Sequence, residues 1–271
     1  MGNDERELLD EQIRYYRARA AEYDTTTTPI AAGCAGMARA TQSAGMKTEL
    51  AVGTPLGFGE LSVSVPSHLC LFYYDDVELK TKLGFARIGL ESEREAVVLF
   101  GRRPRLEQIV GYLADEGLDV VGLRASGRLV LVEGAADRQG LLANIAEHLD
   151  GLMATGVELI RFLGFIGWED PTWPTHEELL TFESLVNVAA TSYPAVVMCT
   201  YKLTEIPGPL LIYGGIETHP LTIIGDTVCE NPHYLPPDRY AAARADGLGW
   251  LEPGRDQFEG VRISRGASAT E

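Results

Sequence analysis

The stretch LCLFYYDD, residues 69–76, decides the fold. Leu69 to Tyr74 is an almost unbroken apolar run of strand length, the pattern of a strand covered on both faces of a parallel sheet. A nucleotide-binding α/β fold would follow such a strand with a glycine-rich phosphate loop, a lysine and a helix N-terminus whose free N–H groups hold phosphate. Tyr74, Asp75 and Asp76 stand there instead. Two carboxylates at that position repel a triphosphate, so the reading is an α/β scaffold without its phosphate cradle, a sensor or binding module rather than a catalyst.

Outward from this strand, the chain repeats strand and helix. Residues 77–90 carry Val77, Leu83, Ala86 and Leu90 and predict a helix; Ala96 to Phe100 predicts a second buried strand. Pro104 suits a first helical turn, Leu106, Ile109, Val110 and Leu113 keep helical spacing, and Gly117 suits the C-terminal cap. Strands follow over 129–132, 157–165, 193–201 and 221–224, with helices over 141–153 and from the Thr175/Glu178 capping-box pair to about Ala190. That order predicts a mainly parallel sheet with helices on both faces, and a ligand site outside the carboxyl ends of its strands.

The flanks differ. Leu8, Leu9, Ile13 and Tyr16 lie among charges and predict one amphipathic helix over 4–23, an N-terminal helical extension. LLDEQIRYYRARAAEYD, residues 8–24, resembles the opening segment of many class I methyltransferases, but no glycine-rich cofactor loop follows it. From Thr25 to about Pro55 the composition is that of a linker. The expected organisation is 1–65 for helix and linker, 66–240 for the α/β domain and 241–271 for a tail, which Trp250 would anchor if anything does.

Composition narrows the function. With 271 residues and 45% hydrophobic content the chain can bury a full core. A net charge of −16 argues against direct binding to nucleic acid or an anionic membrane, both of which need a basic footprint. No apolar run reaches membrane-spanning length, the acidic N-terminus is unlike a signal peptide, and Cys34, Cys70, Cys199 and Cys229 are too scattered for a disulfide framework. The expected location is the cytoplasm.

Three segments in order, HLCLFYYDDVEL (68–79), GLDVVGLRASGRLVLVEG (117–134) and THPLTIIGDTVCENPHYLPPDRY (218–240), together resemble the MEDS domain, the sensory domain of methanogens, methylotrophs and the dichloromethane-responsive repressor. The resemblance implies a relative of the RecA and KaiC fold without its phosphate loop (Walker A), proposed to sense small hydrocarbon derivatives in signal transduction and transcription control. This chain departs from that pattern: it shows no helix-turn-helix in its first 65 residues and no kinase-type module after 240. Output would then pass through a partner protein.

His68 and Cys70, two apart on one strand, share a face, as do Cys199 and Tyr201. Metal or ligand binding is one reading; a packed thiol and a hydrogen-bonded histidine is the plainer one. With His219, Cys229 and His233 in the last segment such groups could converge, yet no pair has Cys-x2-Cys or His-x3-His spacing, so no metal site is expected. No cofactor is expected either. Asp76 before Val77 fits a helix cap; Glu169 and Asp170 are strand-end carboxylates open to either a chemical or a solvated role.

The ligand expected is small and largely apolar. Its candidate pocket is His68, Cys70, Tyr73, Trp168, Tyr201, His219, Asn231 and Tyr234, with Trp168 in the glycine-flanked run Gly164 to Trp168 equally open to a core role. Arg102, Arg103 and Arg105, between a strand and a helix, form a weaker anion-binding candidate whose plainer reading is a solvated run. Two other classes stay open: a degenerate nucleotide binder using those arginines, and an adaptor assembling through its N-terminal helix. A homodimer is compatible with base rates.

Overall fold

The computed structural model describes residues 53–134, 137–168 and 171–244. The N-terminal helix, most of the linker, Glu169, Asp170 and Trp250 lie outside the described residues.

A short hairpin, β1 (Thr54–Pro55) and β2 (Ser62–Val63), precedes β3 (Ser67–Tyr73). β3 pairs in parallel with two strands, one on each side, which is why its sequence is apolar on both faces. The helical pattern over 77–90 forms two helices, α1 (Asp76–Lys82) and α2 (Gly84–Glu91). They break where Gly84 abuts the first hairpin: a Cβ on Gly84 would lie 1.9 Å from the Gly57 carbonyl oxygen, a contact only glycine permits.

β4 (Glu95–Gly101) leads into α3 (Arg103–Asp115), with Pro104 in its first turn and Gly117 at φ 88° closing the segment. α4 (Val120–Ala125), capped by Asp119, is a helix the pattern did not predict; β5 (Leu129–Glu133) follows. Next come α5 (Arg138–Ala154), β6 (Leu159–Phe165), α6 (His176–Ala190) and β7 (Ala195–Lys202). The expected capping box opens α6, Thr175 and Glu178 each accepting from the other's end of the turn. A short helix α7 (Gly208–Leu210) runs into a π-helical turn over Leu211–Ile216. β8 (Leu221–Ile224), β9 (Thr227–Glu230) and α8 (Pro237–Ala243) complete the described chain.

The seven-stranded sheet has the order β5-β4-β6-β7-β3-β8-β9. All its pairs are parallel except the terminal β8–β9 hairpin. Each face carries its own apolar core, one built on Cys70, Val98, Phe100, Phe162, Cys199 and Tyr201 under α5 and α6, the other on Leu69, Leu71, Leu99, Leu163 and Met198 under α2 and α3. Leu56, Phe58 and Val63, which precede the expected boundary near Pro66, are buried in the second core. So is the cation Arg161, 1% exposed, held by Glu95 Oε2 at 2.6 Å and the Pro55 carbonyl at 2.8 Å. Among the described residues no helix is long and apolar enough to cross a membrane.

Candidate functional site

A cleft of about 650 Å³ opens at the carboxyl ends of β3, β4, β6 and β7, where the α/β architecture was expected to place it. The chain passes outward from β4 to β5 and then back to β6 on the other side, and the cleft sits over this reversal. One side is aromatic: Trp168 follows β6 and Tyr201 rises from β7, their ring centroids 6.0 Å apart, while Phe165, which ends β6, lies under the Arg105 guanidinium at 5.4 Å. The rest of the lining is largely ionic. Tyr73 ends β3 and Asp76 follows it, Arg102 and Arg105 follow β4, and Lys202 ends β7.

The helix cap belongs to Asp75, not to Asp76 as the sequence suggested. Asp75 Oδ1 accepts from the backbone N–H groups of Val77 and Glu78, both at 2.9 Å, while Glu78 Oε2 accepts from Tyr74 N at 2.8 Å. The N–H groups that would meet phosphate in a phosphate loop are therefore occupied by the chain's own carboxylate. Asp76 is one residue further on and turns toward the cleft, where Arg105, Gln108 and Tyr112 surround it. Hydrogen bonding from Arg105 chiefly holds the Asp76 carboxyl below its ordinary value.

The three arginines separate. Arg102 and Arg105 line the cleft, and Arg105 also donates to Tyr73 Oη at 2.8 Å. Arg103 points to the exposed side and pairs with Glu133. Lys202, which the sequence reading did not single out, supplies a further cleft cation, 3.8 Å from Asp76 Oδ1 and 2.5 Å from Glu205 Oε1.

Beneath the aromatic wall lies a second, closed group of polar side chains. His68 of β3, Glu183 of α6, Cys199 of β7 and His219, just before β8, are all buried, and one ligand-capable atom from each falls within 4.8 Å of the others. His68 Nε2 lies 3.4 Å from Cys199 Sγ and 4.0 Å from Glu183 Oε2; His219 Nε2 lies 3.6 Å from the same oxygen. The two imidazole centroids are 4.1 Å apart. Tyr201 closes the group toward the cleft, its hydroxyl 3.0 Å from Glu183 Oε1 and 2.9 Å from the Gly214 carbonyl.

Burial dominates the electrostatics of this group. It pushes Glu183 up to about 7, against the lowering effect of hydrogen bonds from Tyr201 and Cys199, and it raises the Cys199 thiol well above its ordinary value. His68 falls to about 4 through burial, opposed by its bond to Asn187, and His219 falls well below the usual imidazole range through burial and the neighbouring His68. Each shift disfavours charge.

Of the sequence-predicted pocket residues, Tyr73, Trp168 and Tyr201 line the cleft. His68 and His219 belong to the closed group below it, and Cys70 is buried in register with Cys199 on the same face. Asn231 and Tyr234 do not line the cleft: Asn231 Nδ2 donates to the carbonyls of Ile216 and His219, tying the last loop to the π-helical turn and the segment before β8, and the Tyr234 backbone N–H bonds Asn231. Glu183 escaped the sequence reading. Its signal was a lone carboxylate on the apolar face of α6, spaced three and four residues from Leu180, Leu179 and Val186.

Residues 67–220 match the family model for MEDS, the methanogen/methylotroph, DcmR sensory domain. Among solved structures, the chain is similar to a KaiC-like protein from the hyperthermophilic archaeon Pyrococcus horikoshii OT3, at 12% identity and a TM-score of 0.45, covering 63% of this chain and 78% of that one. None of the curated proteins matches the chain.

Proposed function

The chain belongs to the MEDS family of sensory domains, and on that premise we propose that it binds a small molecule in the cleft at the strand ends and signals through a partner protein in transcription control. The observation that carries this reading is the composition of the cleft. Ile166, Trp168 and Tyr201 offer apolar surface, while Arg102 and Lys202, the latter paired with Glu205, offer cations in the same cleft. A small molecule with an apolar body and one polar or anionic group matches both kinds of surface, which narrows the largely apolar ligand the sequence suggested.

The nucleotide-binding alternative has less support. Asp75 occupies the helix N-terminus that would hold phosphate, and Arg105 is already engaged by Asp76. The adaptor alternative rests on the N-terminal helix, which lies outside the described residues.

The test is direct. Full-length protein is purified without ligand addition and examined by native mass spectrometry for a co-purified small molecule, then screened by thermal shift against short alcohols, carboxylates and halogenated hydrocarbons. A ligand that binds only the folded state raises the melting temperature. A stabilising compound whose effect is lost in Trp168→Ala supports the reading; a stabilising compound unaffected by changes at Trp168, Tyr201 and Lys202 places the ligand elsewhere.

A further inference from the structure

The geometry points to a metal centre: we infer that His68, Glu183, Cys199 and His219 bind one divalent, zinc-type transition-metal ion. This is independent of the ligand proposed for the cleft.

Both imidazoles are fixed in the tautomer a metal needs. Asn187 Nδ2 donates to the carbonyls of Thr218, at 2.6 Å, and Ser184, at 3.2 Å, so its Oδ1 faces His68 Nδ1 at 3.0 Å and must accept from it. His68 Nε2 therefore carries a lone pair. The Thr218 hydroxyl donates to the Gly214 carbonyl and so accepts from His219 Nδ1, 2.9 Å away. His219 Nε2 carries a lone pair too. Ligating histidines ordinarily donate their other ring N–H to an oxygen in this way, which fixes ring orientation and tautomer.

Those two lone pairs face the lone pairs of Glu183. His219 Nε2 and Glu183 Oε2 are fully buried, and neither has a hydrogen-bond partner among the described residues. Two acceptors turned toward each other in an apolar core are unfavourable unless something positive lies between them. A proton on Glu183 would make one of the two a donor, but at 3.6 Å the atoms stand beyond direct hydrogen-bond distance, a gap that an ion bridges.

The dimensions suit an ion. Bonds of about 2.0–2.3 Å to nitrogen, oxygen and sulfur place the corners of a tetrahedron roughly 3.4–3.8 Å apart. The separations of 3.4, 3.6 and 4.0 Å fall at or just beyond that range, and the widest pair of ligand atoms lies within 4.8 Å. Two neutral imidazoles, a carboxylate and a thiolate form a mixed donor set that suits zinc or cobalt rather than calcium or magnesium. Charge also balances. The Cys199 thiol loses its proton to solvent as sulfur binds the ion, Glu183 enters as carboxylate, and the two anions neutralise the dication in the core. Four protein ligands leave no open position, so the centre is structural, joining β3, α6, β7 and the segment before β8.

The test uses the full-length chain and cobalt(II) chloride, added to folded protein and, separately, during refolding from denaturant. The expected result is one cobalt per chain, a thiolate-to-cobalt charge-transfer band in the near ultraviolet and the intense visible bands of a four-coordinate ion. Cys199→Ser should lose the charge-transfer band. Asn187→Leu, which keeps all four ligands, should keep the spectrum while affinity falls 10- to 100-fold. Absence of the charge-transfer band after both loading routes in wild-type protein overturns the inference, whether or not the variants fold. So does a band undiminished in Cys199→Ser, because a different thiol would then hold the ion.

Discussion

Arg105 and Asp76 are joined by two hydrogen bonds, Nη2 to Oδ1 at 3.0 Å and Nη1 to Oδ2 at 3.2 Å, across the mouth of the cleft. The planar guanidinium fork matches both carboxylate oxygens at once, and Gln108 and Tyr112 complete the carboxylate's shell. This pair fixes the ionic wall before any ligand arrives.

The pair makes acid stability depend on Asp76. Its folded carboxyl titrates below the ordinary value, so its contribution is complete above the unfolded value, about 3.9, and is lost as pH falls through the lower folded value. With the side chain 29% exposed, that contribution is small, about 0.5–1 kcal/mol. Asp76→Asn should therefore lower the urea midpoint at pH 7 and converge with wild type near pH 2. An undiminished gap at low pH would show that the loss is steric.

Removing the Trp168 ring should weaken binding of a cleft ligand by about 10-fold or more while the secondary structure by circular dichroism stays native. The ring packs against Tyr201 and Gly214 rather than at the centre of the sheet. Calorimetric titration of a stabilising compound into wild type and Trp168→Ala gives the ratio; equal affinities exclude the aromatic wall from the contact surface.

ATP, ADP and cyclic nucleotides should leave the melting temperature unchanged. Asp75 already satisfies Val77 N and Glu78 N, and a phosphate would have to displace a covalently tethered carboxylate. Asp75→Gly should lower stability by a few tenths of a kcal/mol to about 1 kcal/mol without conferring nucleotide binding. A melting shift with any of these nucleotides on wild-type protein would contradict this account of the turn.

Tyr201→Phe should destabilise the fold by about 1–3 kcal/mol, because buried Glu183 Oε1 loses the hydroxyl that satisfies it, whereas the Gly214 carbonyl keeps the Thr218 hydroxyl. Urea denaturation with unchanged slope would report this cost. A change below a few tenths of a kcal/mol would mean that water reaches the carboxylate.

Much of the architecture was legible because a parallel sheet writes itself into sequence. Strands such as Ala96 to Phe100 are covered on both faces, and their continuous apolar runs have no helical period. Thr175 and Glu178 marked a helix start through local chemistry, and the capping box is there. The break between α1 and α2 was not legible, since it arises from Gly57 meeting Gly84 across 27 residues. Nor was the π-helical turn at Leu211–Ile216, which has no compositional mark of its own. In the site, Trp168 and Tyr201 could be placed at strand ends by counting. The His68, Glu183, Cys199 and His219 group could not, because its members lie on β3, α6, β7 and the segment before β8 and meet only through sheet order and the seating of α6. Cap position failed by one residue: a run of two aspartates leaves the choice to backbone dihedrals, and Asp75 has the extended ones, φ −143° and ψ 176°.

Tyr201 is a partition between the cleft and the closed group beneath it. Its ring faces the open chamber, and its hydroxyl grips the carboxylate of the sealed one. Any guest that tilts the ring must slacken that grip, and any tightening around Glu183 must stiffen the ring. By thermodynamic symmetry, a cleft ligand and an ion at Glu183, each bound as proposed above, would change one another's affinity by the same factor.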